Sequence, residues 1–198
     1  MKFRLFTATL FLVFTMLSNS FASGFLPVAN VVKVQGKALI NNEIIKVNDE
    51  IAEGMKMNIP NKNDYVDVKF QNGHLVRFTG ATVKVEILNP KNTLFNLLKG
   101  KIFSAIKPLT QDETFKVKTK RVSFAVRGTE FVIEETKKQS YLCVCEGVVV
   151  AKSIKGEVEV KKDEDLTLAH VKNELKATLS AKSMIVMTKK VFMDMGVK

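Results

Sequence analysis

Histidine, cysteine and tryptophan are what this sequence has least of: two His, two Cys and no Trp in 198 residues. His74 and His170 are the whole histidine supply, so a Ser-His-Asp arrangement would have to use one of them, and neither has a motif around it. Gly-x-Ser-x-Gly and His-Glu-x-x-His are both missing, as is a glycine-rich loop of the kind that cradles phosphate. The acidic clusters Glu134-Glu135 and Asp163-Glu164-Asp165 read as solvated turns rather than acid–base pairs. The sequence therefore predicts no enzyme. Aromatic content is almost all Phe, 14 against 2 Tyr, and several of these Phe lie in the N-terminal apolar run.

That run is the first thing present. Lys2 and Arg4 precede "LFTATLFLVFTML", and Ser20 and Ala22 follow it. A positive head, a short greasy core and small residues at the end form the pattern of a secretory signal peptide over residues 1–22, cut after Ala22. The core is short for a bilayer span of about 20 residues. No apolar segment of that length follows it, so no transmembrane helix is expected after cleavage. The mature chain is expected in the periplasm or secreted. Removing Lys2 and Arg4 leaves 29 basic against 20 acidic residues, a formal charge of +9. Such a balance favours anionic partners such as lipid headgroups or acidic polymers. Most Lys, however, is scattered singly along strand-like segments, where it serves solubility and guards sheet edges.

After a lead-in over residues 23–30, short β-like segments dominate to residue 160, and residues 161–198 form a looser C-terminal extension. "YVDVKFQNGHLVRF" is the clearest local signal: Asn72-Gly73 between two alternating runs marks a tight hairpin. Its apolar faces read as Val66, Val68 and Phe70 on one arm, and Leu75 with Phe78 on the other. "NTLFNLLKG" fits a short helix or a strand, and its neighbours favour strand. The tail after Asp163 fits two or three more strands or a short helix. Turns about ten residues apart predict an all-β fold of many short antiparallel strands, as a β-sandwich or a short solenoid-like stack.

"RVSFAVRGTEFVIEE", Arg121 to Glu135, interrupts this order. Val122, Phe124 and Val126 are apolar at even positions, then Phe131 and Ile133 at odd ones. A strand alternates its faces, so one residue must be absorbed at Arg127-Gly128 if both halves face one core. A β-bulge or a sharp corner absorbs it, and Gly tolerates the required angles.

Five segments, taken in order, resemble the FecR domain, a periplasmic β module best known from sensors that regulate iron-transport genes. They are "GKALINNEIIKVNDEIAEGMKM", "YVDVKFQNGHLVRF", "LKGKIFSAI", "FKVKTKRVSFAVRGTEFVIE" and "YLCVCEGVVVAK", and together they cover about Val31 to Ala151. Arg127, Gly128, Thr129 and Phe131 fall on the family's most specific string, Val-Arg-Gly-Thr-x-Phe. Asn48 stands where the family commonly has glycine. The family's regulatory members are anti-sigma factors with a cytoplasmic N-terminal domain, one membrane helix and an external FecR domain. This sequence carries no such N-terminal part, so the resemblance implies a stand-alone exported FecR-domain protein.

Two sets of residues are candidates for chemistry. Arg127 reads as a structural arginine donating to carbonyls freed at the kink, or as an anion or partner contact. Cys143 and Cys145 project to one face of a strand, with Cα atoms about 6.5 Å apart, near the outer edge of disulfide reach. They pack as small apolar residues, or bridge, or hold a soft metal or haem iron together with His170 or, less readily, His74. "FKVKTKRVSF" interleaves aromatic and basic residues, but alternation turns its Phe inward and its Lys outward, which excludes a nucleic-acid surface. The combined expectation is a non-enzymatic exported module that binds an envelope protein or other envelope ligand and needs no cofactor. The alternatives are a metal, haem or redox sensor using the Cys-x-Cys pair, and a basic module for anionic polymers or membrane.

Overall fold

The computed structural model describes residues 28–171 and 173–197. The predicted signal peptide and residues 23–27 of the lead-in lie outside the described residues. The chain forms β1 (Ala29–Gln35), β2 (Leu39–Ile40), β3 (Glu43–Ile44), β4 (Glu50–Ile51), β5 (Lys56–Asn58), β6 (Tyr65–Phe70), β7 (Leu75–Leu88) and β8 (Asn92–Ala105). It continues with β9 (Thr114–Lys118), β10 (Ser123–Val126), β11 (Glu130–Glu135), β12 (Ser140–Glu146), β13 (Val148–Ser153) and β14 (Gly156–Lys161). Two last strands, β15 (Glu164–Leu168) and β16 (Ala177–Leu179), precede one helix, α1 (Lys182–Asp194). The all-β expectation holds, with one difference in sense: β8 and β9 pair in parallel while the other pairs are antiparallel.

The two long strands organise everything else. β7 pairs with β6 along its first half and with β5 along its second. β8 pairs with β9 near its start and with β11 near its end. The continuous sheet therefore folds into two leaves that share β7 and β8. One leaf runs β1, β6, β7, β8, β11, β12, β15, β16, and the other runs β2, β5, β7, β8, β9, β10, β13, β14. Their facing sides make one apolar core, with Phe78, Phe95, Phe115, Phe124 and Phe131 fully buried in it. Phe78 meets Phe95 edge to face at 5.3 Å, and Phe95 meets Phe115 at 5.9 Å, so the rings knit the leaves together. Burying each such ring contributes roughly 1.5–3 kcal/mol.

The interruption at Arg-Gly-Thr is the point where the chain passes from one leaf to the other. β10 pairs with β9 and β13, whereas β11 pairs with β8 and β12. Val126 and Phe131 nevertheless belong to the same core, so the shift from even to odd positions is absorbed in the corner. The other three crossings repeat the pattern. Buried residues change from Val76 and Phe78 to Ala81 and Val83 in β7, and from Phe95 and Leu97 to Ile102 in β8. They change from Leu142 and Val144 in β12 to Val149 and Ala151 in β13. Each change falls at a glycine with positive φ: Gly80 (52°), Gly100 (94°), Gly128 (71°) and Gly147 (83°). The corners stack in pairs. A Cβ on Gly100 would stand 2.3 Å from the Gly80 carbonyl oxygen, which no other residue tolerates.

The hairpin lies where Asn72-Gly73 predicts it, but its loop is three residues, closed by the Phe70 N–H donating to the His74 carbonyl at 2.9 Å. Its register pairs Val66 with Phe78 and Val68 with Val76. Leu75 therefore faces the opposite side of the sheet from Phe78, contrary to the reading that set them together. "NTLFNLLKG" is strand, within β8. The tail gives both of its alternatives: β15 pairs with β12, β16 pairs with β15, and α1 lies across the outer face of β8 and β12.

Candidate functional site

The corner residues fix the local geometry. Gly128 holds its backbone against Pro108, where a Cβ would come within 2.9 Å of Pro108 Cα. Thr129 is buried, with its methyl turned to Gly147 and its hydroxyl without a hydrogen-bond partner among the described residues. Phe131 is fully buried in the core. The carbonyl of Thr129 accepts from the Ile106 N–H at 2.9 Å, so backbone answers backbone at this corner. The Arg127 side chain is exposed and makes no hydrogen bond among the described residues.

Arg127 stands on the rim of a groove of about 860 Å³. The floor is the outer face of β10 and β13, where register aligns Ala125 with Val150 beside Val148. Lys116 of β9 and Glu159 of β14 extend the same cross-strand row to either side. The wall is the loop from Lys107 to Glu113, which contributes Leu109 and Thr110. An apolar floor with a few charges at its margin is the usual make-up of a binding cleft.

Two side chains hold that wall. Glu113 accepts from the Thr110 N–H at 2.8 Å, and this bond holds its carboxyl below the usual carboxylate range. His74, buried under the wall against Phe70 and Phe115, accepts at Nδ1 from the Lys107 N–H at 3.2 Å. Its other ring nitrogen, Nε2, lies 3.0 Å from Asn72 Nδ2. Burial holds the imidazole below the usual histidine range; nearby Glu113 opposes the shift and Lys107 adds to it. His74 thus serves the groove through its wall.

The second candidate set is divided. Cys143 and Cys145 are free thiols buried on the outer face of β12, in an apolar patch with Phe103 and Val132 that Phe192 and Met195 of the α1 end cover. His170 is exposed in the turn after β15. Ser140 pairs with Leu168 and Cys143 with Asp165, so His170 lies beyond the opposite end of β12 from Cys145. Among the described residues no three of His, Cys, Asp and Glu gather as metal ligands.

Two buried ionic clusters went unread in the sequence. Arg77 grips Asp67 with two bonds, Nε to Oδ1 at 2.6 Å and Nη2 to Oδ2 at 2.7 Å. Its Nη1 reaches Asp194 at the α1 terminus at 2.7 Å, and its guanidinium lies 3.8 Å from the Tyr65 ring centroid. Arg121 pairs with Glu135, which also accepts from Ser140, and donates to the carbonyls of Ala169 and Lys137 at 3.0 and 2.9 Å. Glu135 is therefore a buried strand residue and not the solvated turn its Glu-Glu context suggests. Among the described residues no helix is long and apolar enough to cross a membrane.

The fold defines a two-leaved β module built around a shared pair of long strands. Residues 60–150 match the family described as FecR protein. In shape, the chain is similar to the crystal structure of a proposed anti-sigma factor from Parabacteroides distasonis, with a TM-score of 0.57 at 14% identity. That match covers 66% of this chain and 62% of the other, so this chain spans less than two thirds of the neighbour's length. A second proposed anti-sigma factor from the same organism gives a TM-score of 0.46 at 12% identity, covering 75% of this chain and 63% of the other. No curated protein matches the chain.

Proposed function

We propose that this is an exported, non-enzymatic FecR-domain protein that binds a protein partner in the cell envelope in a regulatory role. The groove beside the Arg-Gly-Thr corner carries this reading. Its floor is built on regular strands, and its wall is pinned at the His74 and Gly128 contacts, so the surface is formed before a partner arrives. Ala125, Val148 and Val150 offer an apolar strip, and Arg127 offers a guanidinium that no neighbour among the described residues engages. An extended segment with an apolar side chain beside a carboxylate fits that pairing, because a guanidinium binds carboxylate with two parallel bonds. The chemistry is recognition, and the leader at residues 1–22 directs it outside the cytoplasm.

Retrieval of envelope proteins by the purified chain tests the proposal, with Val150→Arg and Arg127→Glu as comparisons. A partner held by the native chain and lost by both variants supports it. Equal retrieval by all three, or by none, defeats it. Cell fractionation together with the N-terminal residue of the product tests export, with Ser23 expected first.

A further inference from the structure

The Cys-x-Cys pair lies at an irregularity in β12 that the groove does not involve. β11 and β12 pair in register from Glu135–Ser140 up to Phe131–Val144, and then Glu130 pairs with Glu146. Cys145 is the residue left over. On the other side of the strand, the β15 pairing ends at Cys143–Asp165. The ladder is thus already open at one of the two thiols. Two residues apart on a regular strand, Cα atoms stand about 6.6 Å from each other, whereas disulfides prefer about 5.5–6 Å. A bulge bends the strand and supplies the freedom to close that gap.

The same thiols are polar groups in a largely apolar seam, which also buries Thr188 of α1. The Cys143 sulfur lies 3.5 Å from the Ser180 hydroxyl. The neighbouring Cys145 thiol and the Ser180 hydroxyl favour the thiolate at Cys143 against the cost of burial, and the same pairing disfavours it at Cys145. One member is thereby the nucleophile and the other the resolving thiol.

The cover over the pair has little support of its own. Helix α1 has 13 residues, a length that is marginal in isolation. Ala181 provides no side-chain cap, no acidic residue lies in the first turn, and no basic residue lies in the last. Lys182 and Asp194 both oppose the helix dipole. What holds α1 down is the seating of Phe192 and Met195 on the cysteine patch and the bond from Arg77 to Asp194. An element of this kind opens locally far more often than the sheet beneath it.

We propose that Cys143 and Cys145 form a redox-active dithiol on the β12 bulge, covered by α1 and oxidised to an intrastrand disulfide by a low-molecular-weight disulfide when α1 lifts. In the first step the Cys143 thiolate attacks the small disulfide, forming a mixed disulfide and releasing one small thiolate. In the second step the Cys145 sulfur, on losing its proton, attacks the Cys143 sulfur of that bond and displaces the second small thiolate. Two protein thiols are oxidised, one disulfide is reduced to two thiols, and the two protons pass to the departing thiolates. Drawing the sulfurs together removes them from beneath Phe192 and Met195, so the bridge loosens the seat that protected it.

The test uses the full mature chain with oxidised glutathione, followed by intact-mass measurement and by thiol titration. Variants are first checked for cooperative unfolding. The native chain is expected to react slowly and to lose about 2 Da without a retained adduct, and Phe192→Ala to react about tenfold faster with the same product. Cys145→Ser is expected to stop at one retained glutathione on Cys143. If Phe192→Ala does not fold, Asp194→Asn carries the rate comparison, since that side chain is half exposed and dispensable to the core. A native product carrying two glutathiones, or a rate unchanged when the α1 seat is weakened, would overturn the proposal.

Discussion

Gly147 faces Thr129 so closely that a Cβ on the glycine would stand 2.4 Å from Thr129 Cγ2 and 2.7 Å from the Gly128 carbonyl oxygen. The two corners where the chain changes leaf are therefore packed on each other. Gly147→Ala meets both a left-handed backbone and a collision, and is expected to cost about 3 kcal/mol. Gly54→Ala provides the control: its φ is 84°, nearly the same, but nothing lies within 4 Å of its Cβ. That change is expected to cost about 1 kcal/mol. Urea unfolding midpoints of the two variants check the difference, and equal losses would remove the packing account.

Stability is expected to fall on the acid side through His74. Burial depresses its folded-state pKa below the ordinary 6.5, so below that value the unfolded chain binds a proton that the folded chain refuses. The stabilisation is thus complete above 6.5 and is lost as pH falls, because protonated Nδ1 cannot accept from Lys107. Melting temperature measured between about pH 7.5 and 5.5 should decline, and should decline less in His74→Gln. Parallel curves for the two proteins would exclude His74 as the source.

Arg77 and its two carboxylates predict unequal losses. Arg77→Ala strands the buried Asp67 charge and is expected to cost about 3–5 kcal/mol. Asp194 is 53% exposed, so Asp194→Asn is expected to cost at most about 1 kcal/mol. Arg77→Met with Asp67→Leu, which removes both buried charges together, should recover most of the first loss. Denaturant unfolding of the three variants measures this order, and a double variant no better than Arg77→Ala would show that apolar packing cannot replace the pair.

Phe115 is buried in the core while the next residue of β9, Lys116, faces the groove, which links binding to packing. Phe115→Leu is expected to cost about 1–2 kcal/mol in stability and to leave the groove outline in place, whereas Val150→Arg should leave stability within about 0.5 kcal/mol. Thermal unfolding of both, beside partner retrieval, separates a lost surface from a lost fold.

Much of this architecture is written in alternation. The even-to-odd change between Val126 and Phe131 announces a crossing before any coordinates do. A change of parity recurs about Gly80, Gly100 and Gly147. Leu75 misled because a strand buried on both faces makes apolar residues uninformative about direction. Helix α1 resisted reading because Ile185, Val186 and Met187 are consecutive, which blurs a 3.6-residue period, and Val186 and Met193 stay exposed. With α1 unread, nothing local could show that Arg77 is buried, since its cover comes from Asp194 at the far end of the chain. The groove wall was likewise out of reach, because His74 and Lys107 meet only after β7 and β8 pair.

The strands β7 and β8 each give one half of their length to either leaf, so they act as the spine of a book whose covers share one set of pages. Such a molecule has no line of division: trimming from either side removes half the support of whatever remains. Useful variation is thereby driven outward, to the tips and the wall, while the spine admits almost none.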